Sequence, residues 1–160
     1  MPTSQQELAR EIDTLAAGAD SVEYLMSLIA GRLQERLSHF HWVGFYMIEK
    51  ELPGEDPMLV LGPYVGAETP HKRIPLNQGI CGAAVTQGHT VVVDDVHSDP
   101  RYLACSIETK SEIVAPIRAN GAVVGELDID SHVPAAFSPD DRRLVEHCAD
   151  LVGRYLEKTA

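Results

Sequence analysis

Two neighbouring segments in the last third of the chain constrain its fold most strongly. Glu112 to Arg118 and Ala122 to Asp130 are rich in β-branched and other apolar residues, a composition typical of β-strands. Only Ala119, Asn120 and Gly121 separate them, and an Asn-Gly pair between two such segments is a strong signal for a β-hairpin. The sequence therefore predicts an antiparallel strand pair here, within a sheet that other segments extend.

The first half of the chain predicts two helices followed by strands. Apolar residues recur at helical spacing from Ser4 to Leu37, with a break at Gly18 to Ser21, where Asp20 or Ser21 would cap the second helix. Patterns of period two then predict further strands, which are His41 to Ile48, Met58 to Val65, and Thr90 to Asp94.

The connecting segments and the last helix complete the predicted fold. A loop is predicted from Pro70 to Arg73, leading to Ile74 and Pro75. A short helix is predicted from Gly79 to Thr86, and a long loop with one helical turn from Asp95 to Lys110. Ser138 as N-cap and Pro139 at the first helical position predict a terminal helix. This order predicts an α+β fold, in which helices pack on one face of a central antiparallel sheet.

Length and charge narrow the function. A chain of 160 residues suits one domain, residues 1–160, that is large enough to bury a core. The 24 acidic and 13 basic residues leave a net charge of -11, which argues against nucleic acid as a partner. No apolar run approaches the roughly 20 residues of a membrane span, and the N-terminus lacks the apolar core of a signal peptide. We therefore expect a cytoplasmic protein with no nucleic-acid or membrane partner.

The three cysteines, Cys81, Cys105 and Cys148, are too few for a secreted disulfide framework. Cys148 falls on the apolar stripe of the last helix, which favours core packing, whereas Cys105 stands in a polar segment, which favours a reactive thiol. Cys81 lies between glycines at a helix start, and both interpretations stay open for it. His39 and His41 share a strand face, but no further ligand stands at a suitable spacing, so we predict no metal site.

Two aspartates on the second hairpin strand suggest a polar pocket. Asp128 and Asp130 share one face of that strand, because side chains alternate, while Leu127 and Ile129 point the other way. Two carboxylates in one pocket repel each other, and one of them then keeps its proton near neutral pH. The alternative interpretation is a solvent-exposed face at a strand end.

Trp42 and Tyr46 also share a strand face, in the first predicted strand. Their rings would form an apolar wall around a thioether group, because sulfur packs well on aromatic rings. Ordinary core packing explains the two residues nearly as well, so both interpretations stay open.

A series of short motifs connects the chain to a known family. In order they are WVGFY, LGPYVG, RIPLNQGICG, DDV, AC, KSEIVAPI, GELDIDS and FSPDD. From about Tyr24 to the C-terminus the sequence resembles the GAF fold and, more narrowly, the free methionine-(R)-sulfoxide reductases. The resemblance implies that Cys105 is the nucleophile, that Cys81 is a second redox cysteine, and that Glu112 is a binding or catalytic carboxylate.

The reaction implied by this resemblance is reduction of free methionine-(R)-sulfoxide by the Cys105 thiolate. Glu112, Asp128 or Asp130 would protonate the departing oxygen. Cys105 would become a sulfenic acid, which condenses with a second thiol to a disulfide that thioredoxin-like dithiols reduce. No cofactor is implied, and analogy with GAF domains suggests a homodimer formed through the terminal helices.

The sequence departs from the family pattern around both redox cysteines. His71 stands where the family has its third cysteine, and Tyr102 and Ser106 replace a usual His and a usual Asp beside Cys105. Two candidates therefore remain for the thiol that resolves the sulfenic acid: Cys81 and a small external thiol. The alternative functions are a non-catalytic GAF module that senses a small molecule and a thiol redox sensor using both cysteines.

Overall fold

A six-stranded sheet forms the centre of the protein. The computed structural model describes residues 3–50, 53–103 and 107–159. In chain order the strands are β1 (Trp42–Glu49), β2 (Met58–Val65), β3 (Arg73–Pro75), β4 (Val91–Val93), β5 (Ser111–Ala119) and β6 (Ala122–Ser131). Their spatial order is β3-β2-β1-β6-β5-β4, and every neighbouring pair is antiparallel. The predicted α+β class with a central antiparallel sheet is confirmed.

Helices cover both faces of this sheet. They are α1 (Ser4–Ala16), α2 (Val22–Arg36), α3 (Gly79–Gln87) and α4 (Pro139–Thr159), together with a 3₁₀ turn at Val96–Ser98. The helices α1, α2 and α4 pack on one face, where Val43, Phe45 and Leu127 project. The expectation that all helices share one face is wrong for α3, which packs on the opposite face against Trp42 and Tyr46. Apolar side chains on both faces of β1 permit this.

The hairpin turn and the helix N-caps lie where the sequence predicts them. Asn120 and Gly121 join β5 and β6 with φ values of 53° and 80°, the left-handed conformation that a two-residue hairpin turn requires. The Ser21 side chain caps α2 by accepting a backbone hydrogen bond from the first turn at 3.1 Å. At the start of α4, Ser138 and Asp141 each accept a hydrogen bond from the other's backbone N–H, at 3.1 Å in both cases.

Strand β3 is a correction, because the sequence predicts a loop that ends at Arg73 and no strand at this position. Arg73, Ile74 and Pro75 pair with the outer edge of β2. Three residues are too few to show a pattern of period two, and Pro75 has no N–H to contribute to a ladder. The segment is therefore a strand only because β2 lies beside it.

The last helix, α4, combines a buried stripe with a charged outer face. The sequence predicts a buried stripe of Leu144, Val145, Cys148, Leu151, Val152 and Tyr155. All of these are buried except Leu151 and Tyr155, which are half-buried and pack against the core. The apolar side chains of this stripe contact the sheet core, and the hydrophobic effect makes their burial a main stabilising contribution. Within residues 3–50, 53–103 and 107–159, no helix combines the length and the apolar character needed to cross a membrane.

Close packing of α4 on β5 makes Gly153 sensitive to substitution. A Cβ at this position would collide with the backbone carbonyl oxygen of Arg118. We expect Gly153→Ala to lower the free energy of unfolding by about 1–3 kcal/mol, because backbone has to move to admit the methyl group. The matched control is Gly31→Ala inside α2, where the added Cβ meets no atom within 4 Å apart from its chain neighbours and the backbone of its own helix.

The control should raise the free energy of unfolding by about 0.5–1 kcal/mol, since alanine has a higher helix propensity than glycine. Urea denaturation of both variants measures the two effects. Equal changes in the two variants would contradict the tight contact between α4 and β5.

Candidate active site

Three acidic side chains project from one face of β6. Glu126, Asp128 and Asp130 are all buried, while Leu127 and Ile129 point into the core under α1, α2 and α4. This alternation follows from the strand itself, because successive side chains leave a strand on opposite faces. The prediction that Asp128 and Asp130 share a patterned face is confirmed, and the alternative of a solvent-exposed face is wrong.

Strands β5 and β1 flank these acids. Glu112 on β5 and Trp42 on β1 both lie directly opposite Asp130, so the three side chains share one face of the sheet. Gly44 lies opposite Asp128, and a Cβ on it would lie 2.7 Å from Cζ3 of Trp42. The absence of a side chain at Gly44 therefore lets the Trp42 ring lie across β1, beside the acids.

Helix α3 places a thiol over the same face. Reactive atoms of Cys81, Glu112 and Asp128 all lie within 4.8 Å of one another. Each of these three residues is at most 5% exposed. Together with Glu126 and Asp130 they form one buried group, which we call the acid–thiol cluster. The fold therefore brings together four of the predicted site residues: Cys81, Glu112, Asp128 and Asp130.

The two predicted aromatic residues stand on the β1 side of the acid–thiol cluster. The ring centroids of Trp42 and Tyr46 are 6.3 Å apart. Trp42 Nε1 donates a hydrogen bond to the Ala67 carbonyl oxygen at 3.0 Å, and the Tyr46 hydroxyl donates to the His71 carbonyl oxygen at 2.7 Å. These bonds tie both rings to the segment between β2 and β3, so the rings form a fixed wall.

A cavity of about 100 Å³ opens beside this wall, next to Trp42 and Asp130. Thr109 contributes to its lining from the segment that precedes β5. His41 and His132 also line it, with their rings stacked at 3.9 Å between centroids. The sequence predicts an ordinary surface or core position for His41, and only the fold shows it beside the acids.

Burial raises the pKa values of all four carboxyl groups in the cluster. For Glu112 the rise is large, and the neighbouring Asp128 and Asp130 increase it further. Burial first and the charge of Asp128 second also raise the pKa values of Glu126 and Asp130 well above their ordinary range. Burial raises the pKa of Asp128 too, but hydrogen bonds with Glu112 and Cys81 oppose it. The cluster therefore retains protons at pH values where exposed carboxylates are ionised.

The same environment keeps Cys81 as a neutral thiol. Burial raises the pKa of Cys81 well above its ordinary value, and the charges of Asp128, Glu126 and Glu112 raise it further. Since the thiolate is the reactive form, Cys81 is poorly suited to be the primary nucleophile. Burial likewise raises the pKa of Cys148, which packs in the core under α4 as predicted.

The predicted nucleophile, Cys105, lies outside the described residues. The chain on either side of it is described, and both sides approach the acid–thiol cluster. A Cβ on Gly79 would lie 3.0 Å from Cδ1 of Leu103, so Leu103 packs on the start of α3, two residues from Cys81. On the other side, Thr109 is buried and lines the cavity beside Asp130.

Glu126 is a site residue that was not predicted from the sequence. Its side chain is 0% exposed, and neither carboxylate oxygen has a hydrogen-bonding N–H or O–H group among the described residues. Burial raises its pKa, and the nearby Cys81 thiol opposes that rise. One feature of the sequence does indicate it: Glu126 stands two residues before Asp128, and residues at this spacing on a strand share one face. The sequence alone could not show that α3 covers this position.

Comparison with known proteins agrees with this fold and site. The GAF domain family matches residues 23–156. The free methionine-R-sulfoxide reductase of Escherichia coli (strain K12) is 36% identical over 137 residues, or 86% of this chain and 79% of that protein.

Two solved structures are also similar. A free methionine-R-sulfoxide reductase from Neisseria meningitidis, in complex with its substrate, has a TM-score of 0.87 and 32% identity, covering 97% of this chain and 90% of that one. A type II free methionine-R-sulfoxide reductase from Thermoplasma acidophilum has a TM-score of 0.77 and 37% identity, covering 86% and 92%. The chain therefore belongs to the GAF-domain family and, within it, to the free methionine-R-sulfoxide reductases.

The buried Glu126 makes stability depend on pH. An acid whose pKa is raised by folding stabilises the folded state fully below the pKa of the unfolded chain, and this contribution is lost as pH rises through the folded-state pKa. We therefore expect the free energy of unfolding to fall between about pH 5 and about pH 8, and to fall less in Glu126→Gln. Each unit of pKa shift that is removed corresponds to about 1.4 kcal/mol.

Urea denaturation at the two pH values measures this difference. The exposed Glu49→Gln is the matched control, and it should follow the unsubstituted chain at both pH values. A Glu126→Gln profile parallel to that of the unsubstituted chain would show that Glu126 is ionised at both ends of the range.

Proposed function

We propose that this chain reduces free methionine-(R)-sulfoxide to methionine, with Cys105 as the nucleophile and buried carboxyl groups as proton donors. The observation that carries the proposal is a row of buried acids, one of which, Asp130, lines a cavity together with Trp42. Relatives named for this activity support it, including the E. coli protein and the N. meningitidis protein solved with its substrate.

The chemistry needs a thiolate for the sulfur and an acid for the oxygen. The Cys105 thiolate attacks the sulfoxide sulfur, and a carboxylic acid donates a proton to the sulfoxide oxygen. Methionine leaves after its sulfur has gained two electrons, while the oxygen ends on Cys105 as a sulfenic acid. The balance is one thiol and one sulfoxide consumed for one sulfenic acid and one thioether formed.

The path of the chain supports this placement of Cys105. Leu103 contacts the start of α3, which carries Cys81, and Thr109 lines the cavity next to Asp130. In this proposal the Cys105 sulfur, which lies between Leu103 and Thr109 in the sequence, acts beside Glu112 and the cavity.

The proposal gives the acids different roles. Glu112 and Asp130, whose pKa values are raised well above the ordinary range, serve as proton donors to the sulfoxide oxygen. Asp128, on the same face of β6 as Asp130, holds the substrate's ammonium group. Trp42 and Tyr46 pack against the methyl-thioether end of the substrate.

Regeneration requires a second thiol. We propose that Cys81 attacks the Cys105 sulfenic acid, with loss of water, and that a thioredoxin-like dithiol reduces the resulting disulfide. His71 cannot take this role, because an imidazole forms no disulfide. Since burial and neighbouring charges raise the pKa of Cys81, this step should be slow at neutral pH, and an external thiol competes with it.

The proposal also covers the cellular compartment, the domain organisation and the oligomeric state of the enzyme. We place it in the cytoplasm as a single domain that acts without a cofactor. It would form a homodimer through its terminal helices, as expected from other GAF domains.

Cysteine variants test the roles of the three thiols. With free methionine-(R)-sulfoxide and a dithiol, Cys105→Ser should form no methionine, while the matched control Cys148→Ser should keep full turnover because that thiol lies in the core. Cys81→Ser should still release one methionine per chain in a single turnover without reductant. Reversible binding of the sulfoxide without any methionine formed would instead support a sensor module.

Carboxyl variants test proton donation. We expect Glu112→Gln to lower kcat/KM for methionine-(R)-sulfoxide by about 10²–10⁴-fold, the usual contribution of a positioned acid. Steady-state kinetics with the exposed Glu49→Gln as control should show no change for that variant. A Glu112→Gln enzyme with an unaltered kcat/KM would remove this side chain from the mechanism.

A further inference from the structure

The acid–thiol cluster concentrates acidic groups in a small buried volume. Among the described residues, the groups that shift its pKa values are other carboxyl groups and the thiol, and none of them is a cation. Buried carboxylates are costly unless they are protonated or meet a positive partner. A cation that entered the cluster would therefore gain a strong electrostatic interaction.

Several oxygens of the cluster also lack partners. Both carboxylate oxygens of Glu126 and one oxygen each of Asp128 and Asp130 are buried and accept no hydrogen bond from an N–H or O–H group of the described residues. Such atoms carry a desolvation cost that a ligand could relieve. They point to a ligand that accepts electron pairs, since oxygens of this kind have lone pairs to offer.

The thiol narrows the class of ligand. Cys81, Glu112 and Asp128 combine one sulfur with two carboxylate oxygens, all within 4.8 Å of one another. Mg²⁺ and Ca²⁺ prefer oxygen ligands alone, whereas Zn²⁺ accepts both sulfur and oxygen. Tetrahedral zinc holds its donor atoms about 3.3–3.8 Å apart, so small side-chain rotations close this set around the ion.

We propose that the acid–thiol cluster is a binding site for a thiophilic divalent cation, best matched by Zn²⁺, with Cys81, Glu112 and Asp128 as its ligands. Binding displaces the thiol proton and the carboxyl protons, so the bound ion faces a thiolate and two carboxylates. Three protein ligands leave one position of a tetrahedral zinc ion for a water molecule or another ligand. Glu126 lies next to Cys81, and both of its buried oxygens lack an N–H or O–H partner among the described residues.

One consequence rests on the proposed function. Asp128 and Glu112 are the groups assigned above to the substrate's ammonium group and to its sulfoxide oxygen. A metal ion on these carboxylates and a bound substrate therefore exclude each other, and zinc is a competitive inhibitor of the reductase. The metal site itself does not depend on catalysis.

Cobalt(II) provides a direct test, because a cobalt–thiolate bond gives a charge-transfer absorption that carboxylate ligands do not. The full chain, reduced with a phosphine that does not chelate metals, is titrated with Co²⁺ alone and then with Zn²⁺. We expect one equivalent of Co²⁺ to produce the band and one equivalent of Zn²⁺ to abolish it.

Variants identify the ligands in the same titration. Cys81→Ser should remove the band, while Cys148→Ser and Cys105→Ser should retain it. Glu112→Gln and Asp128→Asn should each weaken Co²⁺ binding by at least about ten-fold, the lower limit seen when even outer-shell partners of a metal are lost. Glu49→Gln should leave binding unchanged.

X-ray absorption spectroscopy at the zinc edge detects a sulfur ligand directly, so it needs no substituted protein. The unsubstituted chain with one equivalent of Zn²⁺ should show one sulfur at about 2.3 Å and oxygens at about 2.0–2.2 Å. An all-oxygen shell, no binding, or a band that depends on Cys105 and not on Cys81 would each overturn the site.

Kinetics separate this inference from the proposed function. If methionine is formed, Zn²⁺ should raise KM for the sulfoxide and leave kcat unaltered, and a chelator should reverse the effect. If no methionine is formed but the cobalt band appears, the proposed function fails and the metal site stands. If methionine is formed but no cobalt band appears, the metal site fails and the proposed function stands.

Discussion

The pairing of β6 with β1 and β5 is the constraint on which the rest of the structure depends. Its register sets Asp130 between Trp42 and Glu112, and Asp128 opposite Gly44. Because side chains alternate, the same register sends the apolar residues of β6 to the other face, under three helices. A shift of one residue would turn the acids into that core and the apolar residues toward α3.

The two faces of this sheet have opposite energetic effects. The face under α1, α2 and α4 is apolar, and its burial stabilises the fold through the hydrophobic effect. The face under α3 buries four carboxyl groups, including a Glu126 without an N–H or O–H partner among the described residues. Such groups destabilise a protein, and they occur mainly at functional sites. The large apolar core is what allows the protein to retain them.

Particular residues show which features can be predicted from the sequence and which cannot. The Asn120–Gly121 turn and the Ser138 cap depend on neighbours within a few positions, so they were predicted correctly. Strand β3 was not predicted, because it is three residues long and its extended conformation depends on pairing with β2. Glu126 was missed although it shares the parity of Asp128, since nothing local shows that α3 covers it. Cys105 lies outside the described residues, and its role stays a prediction.

The sequence by itself determined the longer strands, the hairpin, the helix caps and the face that Asp128 and Asp130 share, because these follow from short-range sterics and hydrogen bonding. Only the tertiary structure decided which of those faces is buried and what meets on it. The packing of α3 over β5 and β6 joins Cys81 to acids far away in the chain. Burial by that packing raises their pKa values, since desolvation is a property of the assembled fold.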